Sequence, residues 1–533
     1  MTPVPLTTPE QTQKERHDAI ENAPMPQSIP ALLDGTAQIC PDATLWEFFD
    51  EGTSATYSEV SRDSKKMGAF LAGEGIWRGD RVAVMLPNVP DMPLAWLALA
   101  RIGGVMVPVN TRSTARELAY QIENSGARLL LIHEDLAGIL DGSNLDVKVV
   151  IVGTADWQKK FTRFRADECP APEIDRDTLV NLQYTSGTTG LPKGCRLTHR
   201  YWLTTGMVNA WRDGRRYKRI LATTPFSYMD PQWLLLMAMY QRGTLVVGRK
   251  QSATRFSGWL ADHKIEFCLF PEAASKQPPA PHDKQNVVKR ANIYGVRASA
   301  HKEIEARYGF QAREAFGMTE IGSGMYVPLE AEDMVGSGTC GIASPYRETR
   351  LVDDAGQEVA TGEIGELLIR GPGIFQGYHD NPEATEKALK DGWFHSGDLF
   401  RKDARGFHYI VGRKKDMIRR SGENIACREV EGVLRDMDQI EEVALVPVPD
   451  DMRGEEVKAF MTLQNGHEGN EALIDQIVGY AEGRLASFKV PRYFEFIAEM
   501  PRTPSFKVAK TELTKDRQDQ RVGAFDRVDR VWR

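Results

Sequence analysis

The segment YTSGTTGLPKG at 184–194 concentrates the groups that grip a polyphosphate. Glycines let backbone amides approach an anion closely. Hydroxyls donate further hydrogen bonds, and Lys193 adds a mobile positive charge. The segment follows TLVNLQYTS, which alternates as a strand does, and a helix is expected to start beyond it at Thr198. The spacing differs from GxxxxGK followed by Ser or Thr, so this is not a Walker A loop.

Such a loop needs a rigid frame. The chain has 533 residues, enough for at least two domains, and 41% of them are hydrophobic, enough for large cores. Residues 80–110 read as strand, helix, strand, which implies a parallel sheet covered by helices. ARLLLIHEDLAGIL at 127–140 reads as the next strand and helix, and RILATTPF and GTLVVG repeat the pattern. Near 350 the texture becomes β-rich, with turns at Asp-Ala-Gly and Gly-Glu-Ile-Gly. Beyond GRKKDMIRRSGENI, charged helices such as REVEGVLRDM alternate with strands such as VALVPVP. The expected fold is α/β. Residues 1–30 form an N-terminal arm and 31–414 a large domain of parallel-sheet subdomains, with a β-rich subdomain at about 336–411. Residues 415–533 form a small mobile α+β domain, joined through a hinge near 412–418.

A formal net charge of -7 argues against a nucleic-acid binder. Six scattered cysteines, none at CxxC spacing, argue against zinc and fit reduced thiols in a cytoplasmic enzyme. The polar N-terminus has no signal-peptide apolar region, and WLLLMAMY is too short to span a bilayer.

Further motifs follow the loop in order: FGMTE (316–320), GEIGELLIRGPGIFQGY (362–378), DGWFHSGD (391–398), GRKKDMIRRSGENI (412–425) and PRTPSFKVAK (501–510). Together they resemble the ATP-dependent adenylate-forming family over roughly residues 40–515, and most of all its carnitine/crotonobetaine-type CoA ligases. The resemblance implies a carboxylic acid activated with ATP and Mg2+ to acyl-AMP and pyrophosphate, then transferred to coenzyme A. It implies ATP contacts from Thr185, Ser186, Gly187, Thr188, Thr189, Gly190 and Lys193. It adds Phe316 stacked on adenine, with Gly317 and Met318 beside it. Thr319 matches a hydroxyl near the α-phosphate, and Glu320 the Mg2+ carboxylate. One carboxylate with phosphate oxygens and water satisfies that ion. Asp398 matches the acceptor of both ribose hydroxyls, and Arg413 the arginine near ribose and phosphates. Lys507 matches the lysine that bridges the carboxylate and α-phosphate, a task that suits a compact ammonium. Lys415 matches the hinge residue, and Ser421 and Gly422 a tunnel for the CoA pantetheine.

The chain departs from the family's pattern at three places. Tyr228 stands where histidine is common, Ser421 where relatives carry glycine, and Phe506 where glycine precedes the lysine. By position, Tyr228, Asp230, Gln232 and Trp233 are candidates for the acyl-pocket wall. An aspartate beside aromatic rings suits a quaternary ammonium, each contact contributing roughly 0.5–2 kcal/mol. Asp230 followed by Pro231 also reads as a helix N-cap, with Trp233 in the core, and this is the favoured reading. Two alternatives to a CoA ligase stay open at this level. One is a stand-alone adenylation enzyme that loads a carrier protein, and the other is an inactive nucleotide-binding relative. Homodimers are frequent in similar enzymes, so a homodimer is an expectation.

Overall fold

The computed structural model describes residues 4–142, 145–185, 192–421, 423–503, 507–515 and 517–533. The chain forms two compact units. The described residues of the first lie within Met1–Gly187, Leu191–Thr349 and Ile369–Phe394, and those of the second within Arg350–Leu368 and His395–Arg533. The chain passes between units inside the strands Glu348–Val352, Ile364–Arg370 and Trp393–Lys402.

Two sheets dominate the first unit. One runs, edge to edge, Lys148–Val152, Leu129–His133, Arg81–Met85, Val105–Pro108, Leu179–Thr185 and Lys193–Thr198. All its neighbours are parallel except the last pair. The continuous apolar runs VMVP and LLLIH are buried along their whole length, as strands covered on both faces must be. The other sheet has a parallel centre of Ala312–Met318, Arg290–Ile293, Phe267–Leu269, Arg219–Ala222, Thr244–Val247 and Thr44–Phe48. Antiparallel strands flank it on both edges.

Two helices, His199–Trp211 and Met229–Gln241, are buried nearly all round. Their sequences carry apolar residues on every face, and such a helix has no solvent side to offer. They pack on each other at Gly206, where a Cβ would lie 2.6 Å from the Cβ of Leu236. His199–Trp211 touches strands of both sheets, Lys193–Thr198 in one and Gly322–Tyr326 in the other.

One local expectation needs correction, and two local features add to what the sequence implied. The stretch after Leu129–His133 is a 3-10 helix, Glu134–Leu140, rather than an α-helix. The segment before Thr198 is a strand, Lys193–Thr198, paired antiparallel with Leu179–Thr185, and the helix begins after Thr198 as expected. The N-terminal arm contains a docked helix, Gln13–Glu21. Thr12 and Glu15 form its capping box, Ile20 is buried, and the buried Arg16 pairs with Glu330.

The second unit is built on a sheet containing the hairpin Met417–Arg420/Glu423–Ala426 and the long pair Ile440–Asp450/Gly454–Leu463. The helices Cys427–Arg435 and Glu471–Glu482 cover it, burying Val430, Leu434, Ile474 and Ile477 against Leu445, Val457 and Phe494.

Candidate functional site

Thr185 and Lys193 face each other across the hairpin. Ser186, Gly187, Thr188, Thr189 and Gly190 lie outside the described residues. On its far side the Lys193–Thr198 strand meets residues 376–379. The amide of Arg196 donates to Gly377 O (3.0 Å), that of Gln376 to Arg196 O (2.9 Å), and that of His379 to Gly194 O (2.8 Å). This pairing sets Tyr378 beside Lys193, whose ammonium lies 4.8 Å from the centre of the phenol ring. The Tyr378 hydroxyl donates to Glu320 Oε1 at 2.8 Å. Burial raises the phenol well above its ordinary range, and the negative charge of Glu320 raises it further, so it remains a donor at any physiological pH.

Glu320 lies in the tight turn joining Ala312–Met318 to Gly322–Tyr326. It is 8% exposed, while Phe316, Gly317, Met318 and Thr319 all keep some open surface. The glycines allow this turn. A Cβ on Gly317 would lie 2.6 Å from Gly322 O, and Gly322 itself has φ +66°. Arg347 ties the turn down from below. Its guanidinium donates to Ile321 O (2.7 Å), Tyr346 O (3.0 Å) and Pro372 O (2.8 Å). Burial lowers that guanidinium to about 10, which leaves it charged at neutral pH. The amide of Phe375 donates to Glu320 O at 2.8 Å. Among the described residues no group of three or more His, Cys, Asp or Glu side chains gathers to hold a metal. A buried carboxylate with one oxygen held by Tyr378 fits a cation that brings most of its own oxygen ligands, as a Mg2+–polyphosphate does.

In the second unit Asp398 and Arg413 are direct cross-strand partners, with Nε 3.1 Å from Oδ1. Asp398 is 3% exposed, and its amide donates to Ser396 Oγ (3.1 Å), whose own hydroxyl donates to Leu367 O (2.7 Å). Lys415 is exposed in the 3-10 turn Lys414–Asp416, between the strands His408–Arg413 and Met417–Arg420. Its neighbour Lys414 is anchored to Asp354 (2.8 Å) and Glu366 (3.2 Å), and those carboxylates raise its ammonium. Ser421 has φ +52°, a left-handed backbone that favours glycine, and its amide donates to Arg453 O at 2.8 Å. Gly422 and Phe506 lie outside the described residues. Lys507 is exposed, next to Val508, which bridges antiparallel to Arg502. Its amide donates to Thr503 Oγ1 (3.2 Å), and its carbonyl accepts from the Thr503 amide (2.8 Å).

The four acyl-wall candidates open the helix Met229–Gln241. The N-cap is Tyr228, so the Asp-Pro signal misplaces the cap by two residues. Asp230 caps nothing. Its Oδ1 accepts from the Trp233 indole at 3.1 Å, because the helical spacing of three residues sets the indole over the first turn. Burial raises the Asp230 carboxyl, and among the described residues its one recorded partner is the Trp233 indole, with no Lys, Arg or His paired to it. Burial, and after it the negative charge of Asp230, push the Tyr294 phenol up to about 12, while 47% of its surface stays open. Tyr228 accepts a hydrogen bond from Asn110 Nδ2 (2.9 Å).

Gln232 is fully buried, and protein groups take up its amide. Nε2 donates to Phe226 O (3.0 Å) and Tyr228 O (3.1 Å), and Oε1 accepts from Asn181 Nδ2 (3.0 Å). Asn181 in turn accepts from the Trp96 indole (2.8 Å). Replacing Gln232 with Leu strands these partners in an apolar core and is expected to cost about 2–3 kcal/mol. Calorimetric unfolding should show the first unit melting several degrees lower. An unchanged melting temperature would contradict this role.

The family models place the chain. Residues 33–379 match the AMP-binding enzyme model, and 429–507 match the AMP-binding enzyme C-terminal domain. The chain belongs to the AMP-binding enzyme family. It is 31% identical over 482 residues to crotonobetaine/carnitine–CoA ligase of Escherichia coli, covering 86% of this chain and 92% of that one. It is also similar to o-succinylbenzoate CoA synthetase (MenE) of Bacillus subtilis, solved with the acyl-adenylate intermediate OSB-AMP. That match has 25% identity and a TM-score of 0.80, covering 92% of this chain and 98% of that one. The same synthetase with ATP and a magnesium ion matches at 25% identity and a TM-score of 0.79, covering 91% and 99%. As a member of the AMP-binding family, the chain is an AMP-forming acid–CoA ligase that uses ATP, Mg2+ and CoA and proceeds through an acyl-adenylate. No helix among the described residues is long and apolar enough to cross a membrane.

Sequence reasoning did not single out Tyr378, Arg347 or Tyr294. Tyr378 closes the motif GEIGELLIRGPGIFQGY, and its place there was the available signal. Nothing in the local pattern marks Arg347, whose bonds to Ile321 O and Pro372 O span 26 and 25 positions, or Tyr294, which Asp230 influences from 64 positions away.

Proposed function

We propose that this AMP-binding family ligase activates a carboxylic acid whose far end carries a quaternary ammonium. The carrying observation is Asp230, a carboxylate that takes the Trp233 indole on one oxygen, lies near the Tyr294 phenol and has no basic partner among the described residues. Such a group is short of a counter-ion, and a substituted ammonium supplies one without needing hydrogen-bond acceptors. In this reading the open Tyr294 ring offers a π-face to the same cation, while Trp233, 5% exposed, holds the carboxylate from the core side. The similarity to crotonobetaine/carnitine–CoA ligase supports this reading.

The site residues divide the work in this proposal. The 185–193 segment and Lys193 hold the polyphosphate, and Phe316, Gly317, Met318 and Thr319 line the nucleotide. Glu320 is the protein ligand of Mg2+, whose charge lowers the repulsion between the two anions that react. Asp398 takes the ribose diol and Arg413 the neighbouring oxygens. Lys507 bridges the attacking carboxylate and the α-phosphate, so the charge that develops there is met by an ammonium. Lys415 serves as the pivot between half-reactions, and Ser421 and Gly422 line the path of the CoA thiol. The proposal extends to a cytoplasmic homodimer. Six free cysteines support the reducing compartment, and light scattering reads the mass.

ATP–pyrophosphate exchange tests the acid class. A betaine-type acid should exchange well, and its isostere with a carbon in place of the charged nitrogen should exchange poorly. Asp230→Asn should raise the KM of the cationic acid by about tenfold, as expected for one lost charge contact. Equal exchange by the charged and neutral isosteres would overturn the proposal.

A further inference from the structure

We propose that Tyr378 is a positioning residue for adenylation: it aims the Glu320 carboxylate at the metal and keeps Lys193 from pairing with it. The inference rests on Glu320 being the Mg2+ carboxylate of the reading above. Among the described residues Glu320 Oε1 has one donor, the Tyr378 hydroxyl at 2.8 Å, and Oε2 has none. The hydroxyl thus fixes the carboxylate's rotation and leaves its second oxygen for a ligand, the usual arrangement behind a metal-binding carboxylate. The same residue handles the nearby cation. Lys193 stands 4.8 Å from the centre of the ring and makes no ion pair among the described residues. The phenol offers its π-face to the ammonium and its hydroxyl to the carboxylate. An ammonium and a carboxylate left to meet would neutralise each other, and the polyphosphate would lose one ligand for its metal and one for its oxygens. A cation–π contact is weak enough to yield to a phosphate.

The surrounding backbone is organised to the same end. The Phe375 amide fixes Glu320 O, Arg347 joins Ile321 O to Pro372 O, and the 376–379 pairing with the Lys193–Thr198 strand sets the height of Tyr378. The segment 372–378 therefore places both the main chain and the side chain of Glu320. Backbone contacts alone would serve a purely structural tyrosine. A hydroxyl directed at the one buried carboxylate of the turn is what a positioning role requires.

The test is Tyr378→Phe in the full chain, which keeps the ring and removes the hydroxyl. Electron paramagnetic resonance titration of Mn2+ into the protein–ATP complex should show affinity about tenfold weaker, the loss typical when the partner of a metal ligand is removed. The free Mg2+ giving half-maximal ATP–pyrophosphate exchange should rise by about the same factor, with kcat at saturating Mg2+ falling much less. A second variant, Tyr378→Leu, also removes the ring and should weaken ATP binding without metal, because Lys193 then pairs with Glu320. Unchanged Mn2+ affinity in Tyr378→Phe, or a fall in kcat with the metal requirement unaltered, would overturn the proposal. The Mn2+ titration needs no acid, so it decides this inference even where no acid in the panel supports exchange.

Discussion

Lys507→Ala is expected to abolish acyl-adenylate formation while thioester formation from supplied acyl-AMP continues. Adenylation brings an anionic carboxylate to an anionic phosphate, and a positioned cation contributes where that charge accumulates. Removing one such group costs about 10²–10³ in kcat. Thioester formation starts from acyl-AMP, in which that repulsion is already spent. The structure gives the lysine a defined base. The Arg502–Val508 bridge and two backbone-directed bonds to Thr503 hold its main chain, while the side chain is exposed. The substitution therefore removes charge without opening a core, and the fold should be undisturbed. Separate assays of pyrophosphate exchange and of CoA consumption with synthetic acyl-AMP read the two steps. Equal loss in both would remove Lys507 from its role.

Lys415→Pro is expected to impair the thiol step by about 10–100-fold and to disturb adenylation far less, because a hinge acts by absorbing a backbone rotation that only one half-reaction needs. Proline fixes its own φ and restricts the residue before it. Here that residue is Lys414, tied to Asp354 and Glu366. The restriction thus falls on a turn of three residues, Lys414–Asp416, whose neighbours on both sides are strands. With motion outward from an anchored Lys414 blocked, little else in the turn is left to move. Rapid-quench measurement of the two steps separates the outcomes, and an unchanged thioesterification rate would refute the pivot.

Much of the fold was legible in the sequence because its elements are strongly patterned. RVAVM, VMVP and LLLIH are short apolar runs bounded by turn residues, and parallel buried strands leave such a trace. Local signals were silent at one strand and misleading at one helix start. KGCRLT carries a lysine and an arginine among small residues, so nothing in it announces a strand. Pairing on both sides, with Leu179–Thr185 and with residues 376–379, makes it one. Asp-Pro announces a helix start, yet the carboxylate found a better donor in the Trp233 indole than in the backbone.

The sequence by itself determined the class of fold, the family and the reaction, because phosphate-gripping loops and ordered motifs are local and survive without knowledge of contacts. Only the tertiary structure decided which partner each polar group chose. Tyr378 meets Glu320 across 58 positions, Gln232 meets Asn181 across 51, and Asn110 meets Tyr228 across 118. Hydrogen bonds are set by ångström-scale geometry, and no periodicity in the chain encodes which distant donor will arrive within 3 Å of a given oxygen.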